Sequence, residues 1–81
     1  MDEIYVIRLD SIVLDLPTYY FVGYGDSGLG FRTCIDPFFA KHLSHRDAVN
    51  IASSEFFHNR KNEHLKHHDI VRVVRFFKDG H

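Results

Sequence analysis

Cysteine is almost missing from this chain: Cys34 is the only one in 81 residues. That excludes an internal disulfide and any cysteine-based zinc site within one copy. No apolar run approaches the roughly 18 residues that span a bilayer, and no basic-then-apolar leader opens the chain. The expectation is therefore a protein of the reducing cytosol, with neither signal peptide nor membrane span. An excess of one charge is missing too. Ten Lys and Arg stand against eleven Asp and Glu, for a net charge of −1, which is not the basic balance of a duplex-binding protein. With seven His, partial imidazole protonation near pH ~6 would turn the chain positive. No repeat, linker or low-complexity tract divides the sequence, so residues 1–81 read as one domain.

Aromatics are what the chain has in plenty. Eight Phe and four Tyr, within a hydrophobic fraction of 44%, argue against disorder. A chain of this length buries only about 60–65% of its unfolded surface, and one unaided core of this size supplies about 3–5 kcal/mol. Some rings are therefore expected to stay exposed as a contact surface, and a second copy would be one way to bury them.

The order of elements reads β-β-β-α-β. Residues 3–9 are β-branched and aromatic without helical period, with apolar side chains on both faces. Residues 10–17 connect, with Ile12-Val13-Leu14 either extending the strand past a bulge or forming an apolar loop, and Pro17 closing the segment. Residues 18–24 and 29–35 flank Gly25-Asp26-Ser27-Gly28 and make a hairpin. Asp36-Pro37 stops the third strand. Residues 38–43 fit a short edge strand or one helical turn. Ser44-His-Arg-Asp47 starts a helix, with Ser44 as cap and Asp47 in the first turn. Ala48, Ile51, Ala52, Phe56 and Phe57 carry its apolar stripe to about residue 60. The polar, His-rich run 61–68 prolongs the helix or forms the return loop, and residues 69–77 are the last strand. The simplest packing is α+β: a small antiparallel sheet with one helix on one face.

Several motifs invite chemistry. Gly23-Tyr-Gly25-Asp-Ser-Gly28 matches the dinucleotide fingerprint and follows a strand, but a strand follows it too. No helix N-terminus is offered to a pyrophosphate, and hairpin glycines explain the pattern better. His64 and His68 would share a face if the helix continued, a spacing that can chelate Zn²⁺, Ni²⁺ or Cu²⁺. No third ligand is fixed, and clustered His in a solvated loop are more often polar surface. His42 and His45 could pair with Asp36 or Asp47 in a dyad, but no nucleophile is placed for them. Cys34 lies mid-strand, where a cysteine usually acts as a small hydrophobe. No cofactor is expected. Arg72, Arg75 and Lys78 beside Tyr19, Phe21 and Phe31 suggest a base-stacking sheet, although the ribonucleoprotein motif is absent. Arg72 and Arg75, three apart on a strand, should point to opposite faces, with at least one paired to a carboxylate.

The segments Ile4-Tyr-Val-Ile-Arg8, Tyr19-Tyr-Phe-Val-Gly23, Phe39-Ala-Lys-His-Leu-Ser44 running into Asp47-Ala48, and Ile70-Val-Arg-Val-Val74 cover most of the chain. In their order it resembles small proteins of unassigned function encoded by phages and prophages of Gram-positive bacteria. The resemblance implies a short accessory protein that binds host or defence proteins in the host cytoplasm, and it carries over no catalytic residue. The sequence reading is thus a non-enzymatic protein-binding module, an inhibitor or modulator that docks on a larger protein or on itself as a homodimer. Tyr19, Phe21, Tyr24 and Phe31 are its expected contact surface, with Arg32, Arg60, Lys61, Lys66 and Arg72 at the rim. Nucleic-acid binding through the sheet face and basic helix end is the second reading. A small His-based metal protein is the third.

Overall fold

The computed structural model describes residues 3–13, 15–24, 31–54 and 65–76. Among them, strands β1 (Ile4–Asp10), β2 (Tyr19–Tyr24), β3 (Phe31–Cys34) and β4 (Ile70–Phe76) form an antiparallel sheet in the order β3-β2-β1-β4. Helix α1 (His45–Ala52) packs against β1 and β4, confirming the expected α+β class. The hairpin turn Gly25–Gly28 lies outside the described residues, but β2 and β3 pair as that turn requires.

β1 and β4 pair along their whole length, from Ile4↔Phe76 to Asp10↔Ile70. β1 and β2 pair only at Arg8↔Tyr20 and Leu9↔Tyr19. Below that point the two strands diverge, and the chain after β3 is inserted between them. The Lys41 amide donates to the Phe21 carbonyl at 2.9 Å, while Leu43 and Tyr5 exchange bonds of 2.8 and 2.9 Å. Backbone groups that the splayed strands would leave unpaired are satisfied in this way. Residues 38–43 are thus neither a full strand nor a helix. Pro37–Phe39 make one 3₁₀ turn, capped by the Asp36 carboxylate on the Phe38 amide, and Leu43 adds a single bridge. Ile12 and Val13 sit in the loop rather than on an extended strand.

The inward face follows from alternation. Tyr5, Ile7 and Leu9 of β1 share it with Val71 and Val73 of β4, which pair with Leu9 and Ile7. Ile7, Leu9, Phe21, Phe31, Ala48 and Leu65 form the buried core, with Tyr19, Leu43, Ile51 and Ala52 packed around it. Phe21 pairs with Thr33, whereas Gly23 already pairs with Arg32. Val22 is therefore the extra residue of a bulge. The bulge turns both Phe21 and Tyr24 inward, so the two rings meet edge-on at 5.5 Å.

Helix α1 begins as the spacing indicates: the Ser44 hydroxyl accepts from the Asp47 amide at 3.2 Å, a cap worth about 1 kcal/mol. It ends eight residues short of the expected boundary near 60. Ser53 and Ser54 turn their hydroxyls back to the Val49 and Ile51 carbonyls at 2.7 and 2.8 Å. Such side chains compete with helical amides for the last carbonyls. Phe56 and Phe57 lie outside the described residues.

Candidate functional site

The sheet face opposite α1 carries the unexplained side chains. Alternation sends Ile4, Val6, Arg8 and Asp10 of β1 outward, with Ile70, Arg72, Val74 and Phe76 of β4 beside them. A single helix leaves this face open, where the aromatic excess predicts an exposed contact surface that a second copy could bury. The chain covers part of it itself. Phe38 meets Phe76 edge-on at 5.3 Å, and His42 stacks on the same ring at 4.7 Å. Val6 on this face is 1% exposed. The crossover itself is exposed, with Ile35 at 70%, Phe38 at 53% and Phe39 at 72% exposure.

Beyond this apolar knot, pairing places Arg72, Arg8, Tyr20 and Cys34 in one transverse row across all four strands. Arg8 and Arg72 are direct cross-strand partners, so their Cβ atoms stand about 4.5–5.5 Å apart, an arrangement that repels. Asp10 partly compensates them. Its carboxylate accepts from Arg8 Nε, at 3.1 Å on Oδ1 and 2.9 Å on Oδ2, and from the Thr18 hydroxyl at 2.7 Å. Desolvation pushes the Asp10 carboxyl up. The Thr18 and Arg8 hydrogen bonds and the charges of Arg8 and Arg72 outweigh it and hold the group below its ordinary value. Arg32 extends the basic surface toward β3. A Cβ built on its partner Gly23 would come within 3.6 Å of the Arg32 Nη2, so the guanidinium lies over that glycine.

A depressed carboxyl stabilises the fold above the ordinary carboxylate pKa of about 3.9 and loses that contribution as pH falls through the folded value. Asp10→Asn is therefore expected to be less stable than the parent at pH ~7 and to converge with it in acid below the carboxylate range. Urea midpoints measured across that range check this. A gap that stays constant with pH would show that the carboxylate charge is not what matters.

The sequence-selected residues divide. Phe21 and Phe31 are 2% and 3% exposed and belong to the core, which corrects their placement on a contact surface. Tyr19 is half-buried against the same core. Tyr24 is 48% exposed but faces the helix side beside Phe21. Arg32 and Arg72 are exposed on the opposite, outward face and Lys66 is exposed near the start of β4. These residues do not form one surface. Arg60, Lys61 and His64 lie outside the described residues. The expected contact surface leaves out Arg8, Tyr20 and the exposed stretch Ile35–Phe39, although Tyr20, Phe38 and Phe39 belong to the same aromatic excess. The signal for Arg8 and Tyr20 was their even register on strands whose odd positions fill the core.

His68 is not solvated loop. It is fully buried, with Nε2 at 2.7 Å from the Pro17 carbonyl, so that nitrogen carries the proton and donates. That placement uses the ring to tie the β1–β2 loop to the start of β4, and corrects its reading as polar surface in a solvated loop. No cluster of three metal-ligating side chains occurs among the described residues. His42 and His45 are not paired with Asp36 or Asp47 but packed on aromatics: His42 on Phe76, His45 edge-on to Tyr5 at 4.8 Å. They line an open concavity of about 700 Å³ with Glu3, Ile4, Tyr5, Leu43 and Ser44. There the Tyr5 hydroxyl donates to Glu3, a bond that, with desolvation and the Glu3 charge, raises the phenol above its usual value. Arg75 stands 3.4 Å from the same carboxylate, the strand-end ion pair that the spacing of Arg72 and Arg75 called for. Cys34 donates to the Asp36 carbonyl at 3.1 Å, and desolvation raises its thiol, which keeps it protonated.

No helix among the described residues is long and apolar enough to cross a membrane. Comparison with known proteins finds no matching family model, curated protein or solved structure.

Proposed function

We propose that this chain is a protein-binding module without chemistry of its own, docking on a larger protein through the outward face of its sheet. The observation that carries this reading is the exposed knot of Ile35, Phe38 and Phe39, three large apolar side chains within five residues. Fully burying a side chain of this kind is worth roughly 1.5–3 kcal/mol, so a partner that covers the knot gains several kcal/mol before any polar contact. Aromatic anchors beside an arginine-bearing rim are the usual make-up of an interface hot spot. The resemblance to short phage-encoded accessory proteins supports a stoichiometric inhibitor or modulator of a host or defence protein in the host cytoplasm.

A different protein fits this face better than a second copy. Two identical faces related by a two-fold axis supply each other only with what one face holds. Asp10 is the one carboxylate on the outward face of the four strands, and it is already engaged by Arg8 and Thr18.

Phe38→Ser/Phe39→Ser tests the reading. Phe38 gives up its edge contact with Phe76, at about 1 kcal/mol, so the thermal midpoint should fall by about 4–8 °C while far-ultraviolet dichroism stays unchanged. Capture of a specific host protein, identified by mass spectrometry from a bacterial lysate and confirmed with the purified pair, should weaken at least about tenfold, or ~1.4 kcal/mol. Undiminished affinity in the double variant would remove this face from the interface. A parent chain that sediments as a dimer and a variant that sediments as a monomer would assign the knot to self-association instead.

A further inference from the structure

The proposed docking face leaves one electrostatic question open: why two arginines stand directly opposite each other on adjacent strands. Cross-strand like charges destabilise a sheet, and Asp10 is the one carboxylate that the four strands place on the face of the Arg8↔Arg72 pair. On the strands, two guanidinium groups thus stand against one carboxylate. Arg8 binds Asp10 through Nε, which leaves its terminal amino groups for a second acceptor. Arg72 is exposed and makes no hydrogen bond or ion pair among the described residues. The half-buried Tyr20 flanks Arg8 on the other side. A planar guanidinium fork matches a carboxylate in two parallel bonds.

We propose that Arg8, Arg72 and Tyr20 seat an acidic side chain, Asp or Glu, of the docked partner, with the Phe38–Phe39 knot as the apolar anchor beside it. Arg72 and Phe76 are four residues apart on β4, and Phe76 carries Phe38. At about 3.3 Å per residue the two subsites lie roughly 13 Å apart on one face, a spacing that four residues of an extended peptide cover. This inference rests on the docking reading and names the chemistry of the partner. A protein acid suits the site better than a nucleic-acid phosphate. Asp10 sits inside the row, where its carboxylate would repel a phosphate backbone, and its neighbours Ile70, Val6 and Val74 are aliphatic.

The test is a nuclear magnetic resonance titration of the intact chain, following the arginine Nε–Hε signals and backbone amides. The probes are an N-acetylated, C-amidated tri-glutamate peptide, its tri-glutamine counterpart, inorganic phosphate, and an oligothymidylate. The tri-glutamate peptide should shift the Arg8, Arg72 and Tyr20 signals with a dissociation constant in the millimolar range, while the tri-glutamine peptide leaves them still. Arg72→Gln should weaken the peptide about fivefold, the effect of one exposed ion pair, and Arg72→Lys should fall between. Arg72→Gln relieves the repulsion from Arg8 but also removes a charge that favours the Asp10 carboxylate, so its thermal midpoint should stay within about 4–8 °C of the parent, the effect of ~1 kcal/mol. A larger fall would make Arg72 a structural residue and overturn the proposal. So would equal shifts from both peptides, or none at about 20 mM, well above a millimolar constant. Oligothymidylate binding about tenfold tighter than the peptide, weakening steeply with salt, would reassign the row to a phosphate backbone. The two ideas fail separately. If the peptide binds but Phe38→Ser/Phe39→Ser keeps partner affinity, the docking reading falls and the acid seat stands. If the double variant loses its partner but no peptide binds, the reverse holds.

Discussion

Phe21→Ala will leave no stable folded chain at 25 °C, whereas Tyr24→Ala, three residues on, will fold. Phe21 is 2% exposed and sits among Ile7, Leu9, Phe31, Ala48 and Leu65. Its ring meets Phe31 at 5.6 Å and Tyr24 at 5.5 Å, both edge-on. Truncating a buried Phe costs about 3–5 kcal/mol from lost transfer energy and the cavity left behind. The whole stability of a domain this size is about 3–5 kcal/mol, so the two quantities cancel. Tyr24, 48% exposed, loses one ring contact and little burial, at a cost of about 1 kcal/mol. Thermal unfolding followed by circular dichroism separates the outcomes. A cooperative melt of Phe21→Ala within a few degrees of the parent would mean that this ring is not the centre of the core. The comparison also matters for function, because loss of partner binding in Phe21→Ala would report unfolding and not a broken interface.

The second large effect is expected at His68. This side chain is fully buried, donates to the Pro17 carbonyl at 2.7 Å and lies 5.1 Å from the Tyr19 ring. Leu65, three residues before it, is 1% exposed, so the return segment into β4 is anchored by both. His68→Ala removes the hydrogen bond and opens a cavity, at about 2–4 kcal/mol. His68→Phe keeps the volume and the ring contact but loses the donor, at about 1–2 kcal/mol. Since each kcal/mol moves the midpoint of so small a domain by about 4–8 °C, the two variants should be resolved in one scan. The expected order is parent, then His68→Phe, then His68→Ala. If both variants match the parent, the tie between the β1–β2 loop and β4 contributes nothing.

The outward face links these stability arguments to recognition. Val6 on this face is buried and Phe38 packs on Phe76, while Ile35, Phe39 and the Arg8–Arg72 pair stand outside the core. Neither feature is needed to close the core. The arginine pair acts against the sheet that displays it. On the proposed docking reading, a partner would cover these groups.

Local chemistry wrote much of the fold into the sequence. β-branched and aromatic runs marked all four strands, Asp36-Pro37 ended β3, and Ser44 with Asp47 started α1, because each signal acts within a few residues through backbone sterics or one hydrogen bond. Composition also implied that one helix would leave a sheet face uncovered. What the sequence could not decide by itself was which apolar groups are inside. Period-2 alternation assigns residues to two faces without saying which face meets the helix, and the bulge at Val22 breaks even that rule by turning Tyr24 to the side of Phe21. His68, in a run of polar neighbours, is buried by residues about fifty positions away. The pairing of Arg8 with Arg72, and with Tyr20 beyond, exists only once three strands from both ends of the chain lie side by side. Such juxtapositions depend on register, and register is set by the packing of the whole sheet on its helix.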